Sequence, residues 1–399
     1  MEINKASPAP FAPRPSKRTA MIVTGEASGD LHGANLIRAA REIDPELAFF
    51  GVGGQRMAAA GCDIVIPGET ITVMGLVEVI EYFPVIYRAF RRLKGILHGG
   101  DRPDLLILVD FPDFNLRLAA EAKKAGVPVL YYVSPQVWAW RRGRVKKIAR
   151  IVDRLAVILP FEPDYYRHVD LHVEYVGNPL LDEAKVGCPR EEFLRGHGLD
   201  PDRPVVGLFP GSRRNELKFI LETIWSAAEV LLREQPQIQF LLPMAPSLPA
   251  DAFAQHLAER PLPVTLVRDD IYDVANACDA VIAVSGTATL QIALVGTPMV
   301  VVYKVAPMTY AIGRRLVKIP FVSLVNIVAG EEVVREFIQD AATPEAIVAE
   351  IRQLLRDEVY RGRMRQGLLR VKEIMGAPGC SERVARMASE MSRQGRERQ

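Results

Sequence analysis

The residues best suited to chemistry stand directly after short apolar runs. Asp110 follows Leu105–Val109 and opens Asp110-Phe111-Pro112-Asp113-Phe114-Asn115. A carboxyl group at the end of a buried strand is partly desolvated. That raises its pKa toward the range of a working general base. Asp113 reads instead as the cap of the following helix. An earlier run, Ala20–Thr24, leads into Gly25-Glu26-Ala27-Ser28-Gly29-Asp30. A glycine-rich turn into a helix leaves N–H groups that favour an anion or sugar hydroxyls. The carboxylates of Glu26 and Asp30 and the Ser28 hydroxyl, grouped around Gly25 and Gly29, suit a polyol better than a bare phosphate. Asp30 or Ser28 serving only as a helix cap is the structural alternative.

Val129–Val133 is followed by Ser134-Pro135-Gln136-Val137-Trp138-Ala139-Trp140-Arg141. Trp138 and Trp140, in a proline-containing loop, could line a sugar or acyl-chain site or simply pack the loop on its sheet. In the second half, Val205–Phe209 ends in Pro210-Gly211-Ser212-Arg213-Arg214-Asn215-Glu216. Gly211, Ser212 and Arg213 offer backbone N–H groups, a hydroxyl and a guanidinium to a diphosphate. Ala280–Val284 ends in a second small-residue turn, Ser285-Gly286-Thr287-Ala288-Thr289-Leu290-Gln291. Two anion-receptive helix starts in one half suggest a nucleoside diphosphate.

The elements that must position these turns follow from the apolar pattern. Further runs at Ala48–Val52, Leu155–Leu159, Val173–Val176, Gln239–Leu242, Val264–Val267 and Met299–Tyr303 alternate with helical stretches. Near-continuous apolar strands between amphipathic helices indicate parallel sheets covered on both faces. The fold class is therefore α/β, with one doubly wound sheet in each half and a ligand cleft at the carboxyl ends of the strands. The divisions expected are residues 1–18 as a Pro-rich disordered extension, 19–185 as the first domain, 186–342 as the second and 343–399 as C-terminal helices. The last dozen residues, being polar, are expected to fray.

The chain has 399 residues, with 50 Lys+Arg against 48 Asp+Glu, a net charge of +2. Dedicated nucleic-acid binders are usually far more basic. Four cysteines without metal-binding spacing fit a reducing compartment. No apolar run reaches the roughly 18–20 residues of a membrane-spanning helix. In Phe83–Leu97, the positions Phe83, Ile86, Phe90, Leu93 and Leu97 recur at helical spacing, and Arg88, Arg91, Arg92 and Lys94 have no acid beside them. This basic amphipathic helix suits an anionic membrane surface, or is an ordinary core-facing helix. The run Arg141–Lys147 is a solvated face or a site for phosphorylated ligands or nucleic acid.

Taken in order, these motifs resemble the lipid-A-disaccharide synthase family over about Thr19–Asp340. Val73-Met74-Gly75-Leu76-Val77-Glu78-Val79 and Asn326-Ile327-Val328-Ala329-Gly330 belong to the same resemblance. It implies a GT-B fold of two Rossmann-like domains, with the donor in the second. The activity implied is inverting, metal-independent transfer of 2,3-diacylglucosamine from UDP to the 6-hydroxyl of 2,3-diacylglucosamine 1-phosphate, with no cofactor. The family's essential aspartate maps onto Asp110. Its Glu and Ser map onto Glu26 and Ser28, its diphosphate-side Arg onto Arg213 and its Asn onto Asn326. Met74, Asn115, Trp138, Gly286, Thr287 and Gln291 join the substrate-binding set; many relatives carry Glu at the Gln291 position. The partners implied are the two lipid substrates and the anionic inner face of the cytoplasmic membrane, with a homodimer allowed and no nucleic acid. Two other readings stay open. One is a different GT-B UDP-sugar transferase or epimerase of envelope biosynthesis. The other is a non-catalytic nucleotide- or RNA-binding module.

Overall fold

The structure, a computed structural model, describes residues 18–398 apart from 72–75, 140–142, 212–213, 246–247, 250, 252 and 317–318. The chain divides into two compact units. The first runs to Asp182 and regains the chain from Pro378; the second is Glu183–Ala377. The C-terminal helices therefore do not form one segment. Pro344–Arg356 and Glu358–Met375 lie in the second unit, and Cys380–Glu397 in the first.

The first unit holds a seven-stranded sheet: β1 (Arg18–Thr24), β2 (Leu47–Gly53), β3 (Cys62–Pro67), β4 (Leu105–Val109), β5 (Val129–Tyr132), β6 (Arg154–Val157) and β7 (His172–Tyr175). Their order is β3-β2-β1-β4-β5-β6-β7 and every pair is parallel. All five residues of β4 are buried, as a central parallel strand covered on both faces requires. β3 was absent from the apolar pattern because Asp63 and Pro67 interrupt it and it lies at an edge. Arg18, expected in the disordered extension, opens β1 and forms a two-pronged ion pair with Asp44, both contacts 2.7 Å.

The expected fraying of the tail is overturned. Cys380–Glu397 is a helix whose Cys380, Val384, Ala385, Met387, Ala388 and Met391 are buried in the core. Its polar residues are spent on anchoring: Ser392 Oγ accepts from Arg18 at 2.8 Å, and Ser389 Oγ donates to Asp44. At Gly395 the helix passes so close that an added Cβ would collide with the Asp104 carbonyl oxygen.

The second unit holds β8 (Val205–Phe209), β9 (Gln239–Pro243), β10 (Val264–Val267), β11 (Ala280–Val284), β12 (Met299–Tyr303) and β13 (Glu336–Ile338). The order is β10-β9-β8-β11-β12-β13, again all parallel. β13, three half-buried residues at an edge, carries too little apolar sequence to be legible. Both sheets reverse their strand order once, between β1 and β4 and between β8 and β11. Open α/β sheets bind ligands beyond the carboxyl ends of the strands at such a switch point.

Candidate active site

At the first switch point the chain leaves β4 through an abrupt elbow. Asp110 and Phe111 have φ of 47° and 48°, left-handed values that cost a side-chain-bearing residue about 1–2 kcal/mol each. Pro112 then starts the helix Pro112–Lys124. The elbow is gripped from beneath. The Asp110 carbonyl accepts hydrogen bonds from Tyr131 Oη at 2.6 Å and Asn115 Nδ2 at 2.8 Å. Across the switch point, Gly25 has no room for a side chain, because its Cβ would enter the Phe111 ring. The turns after β1 and β4 thus abut.

The Asp110 carboxyl group is half-buried, and its pKa is pushed up to about 6, first by burial and then by the neighbouring Glu26 charge. Glu26 and Ser28 are exposed at the start of the helix Ala27–Ile43, and Gly29 packs against Thr24. Asp30 has a different task. Its carboxylate accepts from the backbone N–H groups of Gly54 (2.6 Å), Arg56 (3.1 Å) and Met57 (3.2 Å), fixing the turn after β2. It caps a helix 24 residues away rather than its own.

Asn115, expected at the substrate, is fully buried, and its amide also reaches the carbonyls of Val109 (3.3 Å) and Val23 (3.5 Å). It ties the ends of β1 and β4 together. Trp138 is likewise only 3% exposed and packs edge-on against Phe161 at 5.4 Å. It anchors its loop instead of lining a surface; Trp140 falls outside the described residues. Asp113 does not cap its helix. It pairs with Arg144 at 2.6 Å, and the cap position is Phe111.

Two groups escaped the sequence reading. Glu162 is buried and accepts from Leu159 N at 2.9 Å and Ile158 N at 3.2 Å; burial raises its carboxyl to about 7 despite those bonds. His32 lies one turn beyond Ser28, and burial lowers it to about 4. Neither follows an apolar run directly or belongs to one of the motifs.

At the second switch point, Gly211 follows β8 with φ of 98°, a conformation that favours glycine. Ser212 and Arg213, like Met74, lie outside the described residues. After β11, Gly286 caps the helix Thr287–Val295 without a side-chain cap bond, and Thr287 is exposed. The first N–H groups of such a helix have no intrahelical partner. Ser285 Oγ donates to the Val322 carbonyl at 2.9 Å, and Gln291 hydrogen-bonds the Tyr272 hydroxyl.

Asn326 departs from expectation most clearly. It is fully buried, donates to Val334 O and Glu336 Oε1 (both 2.8 Å), and accepts from Val333 N (2.8 Å) and Val334 N (3.0 Å). Its amide is saturated by its own chain. Glu336 in turn accepts from Val322 N and Ser323 N at 2.8 and 2.9 Å. Asn326 therefore supports the segment on which Ser285 rests.

The expected membrane helix is also revised. Leu76–Leu97 is helical, but Leu93 and Leu97 are buried in the core, and Ile86 and Phe90 pack against it. Lys94 is paired with Glu121 at 2.8 Å. The outward face instead carries Phe83 and Tyr87, 55% and 51% exposed and stacked at 6.1 Å, beside exposed Arg88 and Arg91. No helix among the described residues is long and apolar enough to cross a membrane, and no three His, Cys, Asp or Glu side chains converge there as a metal cluster.

Two doubly wound parallel sheets, each with small-residue turns at its switch point, define a GT-B glycosyltransferase fold. The kitacinnamycin glycotransferase superposes with a TM-score of 0.58 at 18% identity, covering 95% of this chain and 100% of that one. The UDP-GlcNAc 2-epimerase of Neisseria meningitidis, bound to UDP-GlcNAc, gives a TM-score of 0.61 at 11% identity, over 94% and 100% of the two chains. The lipid-A-disaccharide synthetase family model matches residues 20–382. The lipid-A-disaccharide synthase of Syntrophotalea carbinolica is 62% identical over 383 residues, 96% of this chain and 98% of that one. That of Geobacter metallireducens is 53% identical over 377 residues, 94% and 98% of the two chains. The chain belongs to the lipid-A-disaccharide synthase family.

Proposed function

We propose that Asp110 is the general base of an inverting transfer from UDP-2,3-diacylglucosamine to the 6-hydroxyl of 2,3-diacylglucosamine 1-phosphate. The supporting observation is the elbow after β4. It holds a half-buried carboxyl group at a switch point, with a pKa of about 6, so that it is ionised yet basic at neutral pH. Asp110 takes the proton of the 6-hydroxyl as that oxygen bonds to the anomeric carbon of the donor. The anomeric carbon–diphosphate bond breaks on the opposite face, and UDP leaves with the electron pair. Glu26 and Ser28, exposed beside the elbow, bind sugar hydroxyls. In the second unit Gly211, Ser212, Arg213 and the helix start at Gly286–Thr287 hold the diphosphate, and their N–H groups and guanidinium offset its growing charge. Gln291, oriented by Tyr272, binds the ribose.

The acylated substrates reside in a bilayer, so the enzyme works at an anionic inner-membrane surface through Phe83, Tyr87, Arg88 and Arg91. The aromatic rings enter the interface and the arginines meet headgroups.

Purified enzyme should release UDP when both donor and acceptor are supplied, with formation of the disaccharide phosphate, and EDTA should leave the rate unchanged. UDP release that ignores the acceptor, or conversion of the donor to its C2 epimer, would favour an epimerase-like activity instead.

A further inference from the structure

Three non-glycine residues with left-handed backbone stand at the ends of two neighbouring strands: Asp110 and Phe111 after β4, and Val133 (φ 64°) after β5. Strain of this kind persists only where the surroundings over-determine it. At Asp110 the cause is visible. Tyr131 and Asn115 are both fully buried, and both donate to the same carbonyl oxygen. The Asp110 N–H is held as well, donating to Tyr132 O at 3.0 Å. Rotating the Asp110 peptide out of this conformation would leave the buried Tyr131 hydroxyl without its acceptor, at about 1–3 kcal/mol, and would cost Asn115 the shortest of its three carbonyl contacts. That is enough to offset the strain of about 1–2 kcal/mol at one residue.

We propose that Tyr131 and Asn115 are positioning residues that aim the Asp110 carboxyl group by gripping the Asp110 carbonyl from inside the sheet. Both grips fix the peptide plane that follows Cα, and with it the direction in which the side chain leaves the backbone. Inward attachment of the carbonyl leaves the carboxyl group at the outer end of the elbow. Tyr131 suits the task because burial and the Asp110 charge push its own ionisation far up, so it stays a donor at any working pH. Asn115 suits it because an amide cannot lose its proton. Among the described residues, the charged and titratable groups around the elbow include Glu26 from the turn after β1, Tyr131 from β5, Tyr166 and the Asp113–Arg144 pair. None of them replaces the grip on the carbonyl.

The inference rests on Asp110 being the base, and a double-mutant cycle separates the two claims. Tyr131→Phe keeps the ring and deletes one hydroxyl. It should lower kcat about 10–100-fold, the scale of a slightly misplaced catalytic group, with KM for both substrates and UDP affinity unchanged. The acid limb of its kcat/KM profile should move to lower pH, since a loosened elbow admits water to the carboxyl group. In an Asp110→Asn background the same substitution should be silent. Equal losses with and without the Asp110 carboxylate would overturn the positioning role, as would full turnover and an unmoved pH profile in Tyr131→Phe. Asp110→Asn alone reads the base assignment. Asn115→Ala, where its melting curve shows a folded protein, should repeat the pattern; if it does not fold, the Tyr131→Phe cycle still decides.

Discussion

The two switch points solve different problems with different residues. After β4 in the first unit, two non-glycine residues, Asp110 and Phe111, take left-handed backbone around a half-buried carboxyl group. After β8 and β11 in the second, Gly211 and Gly286 turn the chain with little strain, and the helix at Thr287 opens without a side-chain cap bond. Gln339, the left-handed non-glycine residue described in the second unit, lies after the edge strand β13 and away from the switch point. A group that moves a proton must be one side chain with a tuned pKa, and strain is tolerated to aim it. A diphosphate is bound well by main-chain groups, so small residues suffice. On the proposed assignment, one Rossmann-like plan serves chemistry in one unit and binding in the other.

The largest effect expected from breaking this contrast is at Asp110. Asp110→Asn should lower kcat by about 10²–10⁴-fold, the usual contribution of a general base, and leave UDP affinity at its parental value. Turnover within a few-fold of the parent would remove Asp110 from that role. Asn326→Ala comes next, and should act on stability. It unpairs two N–H groups and a carbonyl, each costing about 1–3 kcal/mol when buried, and removes one of the two donors to Glu336 Oε1. Its melting temperature should fall well below that of the parent. An unchanged melt with selectively weakened UDP binding would return Asn326 to the ligand.

Arg213→Ala should weaken UDP binding by roughly 1.5–3 kcal/mol, the worth of a charge-assisted contact, with Arg213→Lys recovering only part. Unaltered UDP affinity in the alanine variant would sink that assignment. The smallest effect per residue is at the membrane. Replacing Phe83, Tyr87, Arg88 and Arg91 by Ser should reduce sedimentation with anionic vesicles, the arginines contributing on the order of 1 kcal/mol each in a salt-sensitive way. Turnover of detergent-dispersed substrate should change much less. Vesicle binding that is unaltered would place the contact elsewhere.

The sequence carried the strands and the places where chemistry could sit. A fully buried parallel strand is a run of apolar residues, and the small or acidic residues after it mark the carboxyl end of the sheet. Asp110, Gly25–Asp30 and Ser285–Gln291 were legible on that ground. What each residue does there was less so. Asn326 and Asn115 look like ligand residues because they are polar and belong to a motif, but their partners are main-chain groups and, for Asn326, the Glu336 carboxylate as well, brought to them by the tertiary fold. Asp30 likewise caps a helix that starts at Gln55. Tyr131 was hidden for the opposite reason, since inside Val129–Tyr132 it passes for one more apolar strand residue. The stripe on Phe83–Leu97 has the right spacing for an interface and the right spacing for a core. Periodicity gives a face and does not say what covers it.

The most direct measurement on the base is the pH dependence of kcat/KM for the parent enzyme. Its acid limb reports the ionisation of the free enzyme's base. Burial and the Glu26 charge place the Asp110 carboxyl at about 6, so activity should rise with pH through that value. Glu26→Gln, by deleting the like charge, should move the limb to lower pH. A limb at the ordinary aspartate value of about 4, unmoved in Glu26→Gln, would contradict a desolvated Asp110 acting as the base.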